Sequence, residues 1–530
     1  MSVMRVSGPA VAALLVALIA AAPLFFVMYR SAGLSGADWA ALWSVRLPRL
    51  MWNTFWLAAL VALGSLLLGV SAAWLVARRR FVGRRLAIWL MVLPLTVPTY
   101  VFAHIYTTLL EADGWLGRLW AYLFGPAASV PDLYNVAGVA VILSLAGFSY
   151  VFLLVQAALA HSSRTLEEAA RVHGAGPHQV FWKVNLPLLR PAIAAGLALV
   201  VLHVLSDFGA VSMLRYQTFT LSIYLQLSGR FDYAAAAGLS LVLVGLSLTF
   251  LIVERFFRRR QRYYASGARA RQNDRKPARP LEQLLVWSWL GLLATLSFGL
   301  PLAWMVSWSW RALAAGAVDA RFWGYVTNSL LVAASVATIA LLVALPVALY
   351  HARRHTLLSQ LCLQASSVGF VLPGPVIALG VLSLVLSLLP VVYGTALALV
   401  LGLTIRFLPL AVQSQEASLQ QLTPSIEHAG RVLGARPLEN LLRVVLPVIR
   451  GGLIGGWVLV FIDALKELPA TLLLRPTGFD TLPVRIWIEA SEEMLEQAAP
   501  AALMLVLGTL PAIWLLVRDR RAGPSAPQEL

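Results

Sequence analysis

Residues Leu166–Ile193, LEEAARVHGAGPHQVFWKVNLPLLRPAI, are written a second time at Ile426–Leu453, IEHAGRVLGARPLENLLRVVLPVIRGGL. The copies align without a gap at an offset of 260, and 11 of the 24 positions from Glu167 to Arg190 are identical. Shared residues include Glu167/Glu427, Ala169/Ala429, Arg171/Arg431, Gly174/Gly434, Pro177/Pro437, Leu186/Leu446 and Pro187/Pro447. A repeat of so long a period is not a solenoid. It makes the chain two homologous halves, and any fold must supply the same element twice.

Each copy has a readable shape. Glu167 to Val172 is a short helical run with acidic residues at its start, where the helix dipole favours them. Gly174 permits a backbone turn closed to bulkier residues, and Pro177 suits the first turn of a following helix. That second helix, Pro177 to Asn185, carries Val180, Phe181 and Val184 on one face. Leu186-Pro187 then breaks it before a long apolar run. The element reads as an exposed, partly apolar helix-turn-helix outside a membrane, the kind of patch that marks a docking surface. A plain hairpin joining two spans is the alternative, and the matched second copy weighs against it.

The 530 residues are 60% hydrophobic and 12% charged, with mean hydropathy +0.79. A soluble chain carries roughly twice that charged fraction. The chain is therefore an all-α polytopic membrane protein, with lipid as its surroundings. Its net charge of +17 sits in short segments between apolar runs, which the positive-inside bias explains better than a groove for nucleic acid. The single cysteine, Cys362, excludes an intrachain disulfide and a cysteine-based metal site.

Apolar stretches predict spans near 9–28, 53–77, 86–110, 136–160, 192–213 and 236–256, then near 284–306, 328–350, 360–389, 391–413, 453–474 and 499–517. That makes about 12 transmembrane helices, six per half. The first stretch also admits a cleaved signal peptide, although it is longer than a typical signal core. Arginine-rich segments at 78–85, 254–279, 351–355 and 518–521 fall on the same side as both repeats. The excess places that side, and both termini, in the cytoplasm. Residues 1–256 and 283–530 are then the two halves, and 257–282 is a basic cytoplasmic linker.

The run Glu168-Ala169-Ala170, Gly174, Leu186-Pro187 resembles the EAA loop of permease subunits in binding-protein-dependent ABC importers. The second copy keeps Glu427, Ala429, Gly434, Leu446 and Pro447 but has His428 for Glu168 and Gly430 for Ala170. Over nearly the whole chain the resemblance is to the fused, double-length permeases of ferric-iron importers, as in SDFGAVSMLRYQTFTLSIYLQ (206–226) and LKELPATLLLRPTGFDTL (465–482). It implies a type I ABC importer permease fold in the bacterial inner membrane. Glu167, Glu168 and the other motif residues of both loops would then dock on two copies of a separate ATP-binding subunit. A periplasmic binding protein would deliver the substrate, ferric iron by this resemblance, which crosses by alternating access. Importers of thiamine, phosphonate or polyamines share the double architecture. An ion-coupled secondary transporter is the rival of a different class.

No nucleotide-binding loop, nucleophile elbow or HExxH is present, and Lys183, Lys276 and Lys466 are the only lysines. The sequence thus names no catalytic residue, cofactor or metal set. Two acids inside apolar runs stand out. Asp207 and Glu467 are again 260 apart, and intramembrane acids are functional candidates by default. Asp207 lies sixteen residues beyond Pro191, about 24 Å up a helix. A role in the substrate pathway and a structural role near the interface both fit that depth.

Overall fold

Backbone groups in lipid must be satisfied within the segment, so apolar stretches of this length become helices. The computed structural model describes residues 8–161, 165–259, 276–420 and 422–519, and its regular structure is helical apart from one two-residue strand pair. Among the described residues eight helices are long and apolar enough to cross a membrane: Gly8–Ser31, Leu47–Arg78, Val136–Ala160, Pro177–Ser206, Tyr233–Glu254, Pro280–Ala314, Ala320–Arg353 and Ala396–Leu419. Two bent pairs, Arg84–Thr96 with Thr99–Leu110 and Pro437–Val448 with Arg450–Leu465, bring the number to ten. The remaining two apolar stretches are the shorter helices Gly374–Leu388 and Gln497–Ala512.

Four stretches read as single spans are broken. The 86–110 stretch turns by 97°, because Pro94 and Pro98 each remove a helical donor within five residues. The 360–389 stretch divides into Leu357–Ser366 and Gly374–Leu388, with Pro373 and Pro375 at the restart. The 192–213 stretch ends at Ser206 and resumes as Gly209–Met213, and the 453–474 stretch ends at Leu465 and resumes as Pro469–Leu474. Conversely, the break expected at Leu186-Pro187 is absent, and Pro177–Ser206 runs on as one span. A π-turn at Phe181–Asn185 precedes it, with Leu186 N–H bonded to Phe181 O. The wider turn accommodates the donor that Pro187 lacks. The matching π-turn, Leu441–Val445, precedes Pro447, and there the axis bends by 74°.

The described residues fall into two compact units. One comprises Ala41–Leu221 and Val242–Trp308. In it Leu47–Arg78 packs on Val136–His161 and Leu186–Ser206, and Pro280–Ala294 packs on Arg84–Val92. The last residues before that helix are pinned too: Lys276–Pro277 pairs in parallel with Arg79–Arg80, and Trp287 Nε1 donates to Val82 O at 2.9 Å. Most of the 257–282 linker, residues 260–275, lies outside the described residues.

The other unit comprises Met1–Ala40, Ser222–Leu241 and Ser309–Leu530. Ala320–Arg353, Ala396–Leu419 and Arg450–Leu465 form its centre, and Gly8–Ser31 packs on Gly374–Leu388, Ala320–Arg353 and Leu357–Ser366. The buried stripe of Gly8–Ser31 is Ala10, Ala13, Ala17, Ala20, Pro23 and Val27. Such small residues let helices approach closely where lipid supplies no hydrophobic drive.

Candidate functional site: two clamped loops and two helix breaks

The repeated element folds alike in both halves. Thr165–Val172 and Pro424–Val432 are the first helices, and each ends in a glycine of positive φ, Gly174 at +83° and Gly434 at +89°. Gly174 N donates to Arg171 O at 2.9 Å and Ala175 N to Ala170 O at 3.0 Å. Gly434 N and Ala435 N repeat this on Arg431 O and Gly430 O. The double bond pattern is a Schellman cap, which only glycine closes without strain.

The adjacent acids of the first loop part company. Glu167 is buried and bonds Arg78, the last residue of Leu47–Arg78, whereas Glu168 is exposed. Arg78 also donates to Asn185 Oδ1 at 3.0 Å and lies 5.0 Å over the Trp74 ring. Glu427 is likewise buried and bonds Arg353, the last residue of Ala320–Arg353. In each half, then, a buried carboxylate ties the loop to the end of a span. His428, which replaces Glu168, stands at the exposed position. The acid kept in both copies is the clamp, and the one that changed faces outward. Ala169 and Ala429 are both exposed, while Leu186 and Leu446 are half-buried where the loops return to the span.

Above the clamps the two loops exchange a pair of residues. The first has Val180 and Asn185; the second, at the same registers, has Asn440 and Val445. Asn440 Nδ2 donates to Glu427 O at 3.3 Å, and a Cβ at Gly430 would run into Asn440 Oδ1. Gly430 is thus the counterpart of the Asn440 side chain, as Ala170 is of Val180. Gly430→Ala should reduce membrane-inserted protein through an overpacking cost of about 1–3 kcal/mol, and Asn440→Val in the same chain should restore it. Comparing inserted protein for the single and double variants checks this; a double variant no better than the single one would refute the pairing.

The loop tips expose apolar side chains at matched places. Val172 is 85% and Val432 is 86% exposed, beside Trp182 in one loop and Leu433 and Leu438 in the other. Exposed apolar clusters of this kind mark interaction surfaces.

Asp207 and Glu467 sit at the helix breaks. Each is buried and caps the short helix that follows. Asp207 Oδ1 accepts from Ala210 N at 3.0 Å and Val211 N at 3.3 Å, and Oδ2 accepts from Thr99 Oγ1 at 2.5 Å. Glu467 accepts from Ala470 N and Thr471 N, both at 3.0 Å. Among the described residues only Glu467 has a cation, Arg406 at 3.8 Å; the register of Arg406 in the first half is Ala146. Arg215 and Arg475, which are also 260 apart, do not pair with these acids. Arg475 pairs with Asp480, and Arg215 is a positive-φ residue ending Gly209–Met213. Among the described residues no group of three His, Cys, Asp or Glu is placed to hold a metal.

The described residues thus form a many-span helical membrane protein that carries two matched, exposed loops, each clamped to the end of a span. Residues 65–263 match the family described as binding-protein-dependent transport system inner membrane component. The chain is 31% identical over 478 residues to the Fe(3+)-transport system permease protein FbpB 2 of Haemophilus influenzae, covering 90% of each chain. It is 24% identical to the putative ferric transport system permease protein FbpB 1 of the same organism, over 83% of this chain and 72% of that one. It is also 33% identical to the sulfate transport system permease protein CysT of Salmonella typhimurium, over 41% of this chain and 80% of that one. The chain belongs to the family of binding-protein-dependent inner membrane permeases.

Proposed function

We propose that this chain is the double-length permease of an ATP-driven importer and passes ferric iron delivered by a periplasmic binding protein. The observation that carries the reading is the co-linear match to a ferric permease over 90% of both chains. The sulfate relative aligns with less than half of this chain, so it speaks for the shared permease element rather than for the cargo. In this reading 1–256 and 283–530 are the permease halves, 257–282 is the linker, and loops and termini face the cytoplasm.

Two ATP-binding subunits dock on the loops, one on each. Val172 and Val432 form the apolar centre of each contact, with Glu168 and His428 beside them, and the Glu167 and Glu427 clamps carry the motion into the spans. Asp207 and Glu467 act on the pathway by holding the breaks open. Helix restarts of this kind are where transporters place their gates.

Reconstitution with the cognate ATP-binding and substrate-binding proteins tests the assignment. Ferric iron should accumulate only with ATP, and Val172→Asp with Val432→Asp should lower uptake at least about tenfold by placing charge on a desolvated apolar contact. ATP-dependent accumulation of sulfate but not iron would overturn the substrate. Uptake by the chain alone, driven by an ion gradient, would overturn the class.

A further inference from the structure

Asp207 and Glu467 are buried, so they do not present their charge to anything that passes. The residues that do present polar atoms lie on the helices just before them. From 198 to 207 and again from 458 to 467, three positions in each segment escape burial, and they are the same three: Leu199/Leu459, His203/Asp463 and Ser206/Lys466. They fall at i, i+4 and i+7, a single helix face. Towards the loop the face continues through Ala192 and Ala195 in one copy and Gly452 and Gly455 in the other, all half-exposed.

Depth decides what this face meets. Arg190 and Arg450 are exposed at the loop end of each span. His203 and Asp463 are thirteen residues further (203 − 190 and 463 − 450), about 20 Å along a helix. That is within a hydrocarbon layer about 30 Å thick. The Asp463 side chain is 37% exposed there and pairs with Lys466 Nζ at 3.0 Å. His203 has its ring 5.8 Å from that of Tyr150. A charged pair open at this depth is expensive against lipid and is found where water reaches. That two separate halves open the same three registers, with different polar residues in each, argues against chance exposure.

We propose that each of these two faces borders water within the membrane. His203 with Ser206, and Asp463 with Lys466, are the side chains that touch the solute as a hydrated polar species. The proposal rests on the permease reading and extends it to named contacts. Each face supplies donors and acceptors together, His203 with Ser206 on one and the Asp463 carboxylate with the Lys466 ammonium on the other. Such a lining wets and guides a solute without stripping its own ligands.

Thiol reactivity tests this on the full chain in membrane vesicles of both orientations, in a Cys362→Ala background. Single cysteines at 199, 203, 206, 459, 463 and 466 are exposed to a membrane-impermeant, cationic methanethiosulfonate. Controls are Leu18→Cys and Leu67→Cys, exposed apolar positions on other spans (55% and 62%). A thiol reacts as thiolate, which forms only where water solvates it, so the six positions should react at least about tenfold faster than the controls from one side or the other. Positions 199 and 459 are decisive, because they lie deepest and Leu→Cys leaves insertion intact. If they react no faster than Leu18→Cys and Leu67→Cys, the faces meet lipid and the proposal is overturned. The labelling requires neither partner nor cargo, so its failure is distinct from a failure of iron uptake.

Discussion

Glu167→Ala should abolish transport and release the first loop from its span, whereas Glu168→Ala should leave the fold unchanged. The two residues are neighbours, yet Glu167 neutralises Arg78, whose side chain is 9% exposed. Without Glu167, Arg78 keeps Asn185 and Trp74 but has lost the acid that neutralised it. Removing one partner of a buried pair costs about 3–5 kcal/mol. An exposed substitution away from such a feature stays within about 0.5 kcal/mol. Replacing both partners, Arg78→Met with Glu167→Met, should recover much of the loss, because no buried charge then remains. Protease cleavage within 166–180, together with uptake per inserted molecule, reads both effects. Glu427→Ala should act in the same direction but less strongly, since Arg353 is 25% exposed and better solvated. Equal cleavage in Glu167→Ala and Glu168→Ala would remove the clamp from the account.

The second large effect is an inequality between halves. Glu467→Gln should sharply reduce membrane-inserted protein, and Asp207→Asn should barely change it. Asp207 takes both of its backbone N–H bonds on Oδ1, so an amide oxygen can still accept them, whereas Glu467 spreads its two over Oε1 and Oε2 and a Gln keeps only one. The larger difference is Arg406. Neutralising Glu467 leaves that guanidinium among the spans with only the weaker influence of Asp463, at a cost of up to about 2.5–3.5 kcal/mol on the insertion scale. Among the described residues no cation pairs with Asp207, so nothing is stranded by Asp207→Asn. Arg406→Ala should rescue Glu467→Gln, because the first half already works with Ala146 at that register. Yield and thermal stability in detergent for the two single variants and the rescue decide it, and matched losses at 207 and 467 would contradict the ion-pair explanation.

Much of this was legible in the chain itself. The duplicated loop, the glycine turns at 174 and 434 and the positions of all twelve apolar stretches are local features, and each has a helical counterpart in the structure. The clamps were not legible. Their partners Arg78 and Arg353 are 275 apart while Glu167 and Glu427 are 260 apart, so the register that revealed the repeat misaligns them. The slip lies between the clamps. There the first half carries an extra helix, Trp115–Phe124, where the second half has the short connection Leu389–Thr395. Nor does an eight-residue helix declare which of two adjacent glutamates faces inward; a distant arginine decides it. At the breaks, the rule that acids inside apolar runs are functional drew the eye to Asp207 and Glu467. Backbone donors freed by a helix restart gave both of them local work, and the open polar positions lay one turn earlier.

The composition of the two units bears on how the chain is made. Gly8–Ser31 precedes by some three hundred residues the helices it packs on, which begin at Ala320. Pro280–Ala294, which opens the second half, packs on Arg84–Val92 and Leu47–Arg78 from the first. Neither half carries all the helices of one compact unit. Gly8–Ser31 must therefore wait, its alanine stripe uncovered, until the helices from Ala320 onward have been translated. A ribosome that stalls after the first half leaves a product with an unfilled seam and an unclaimed helix, a signature by which membrane quality control can distinguish an unfinished chain from a finished one.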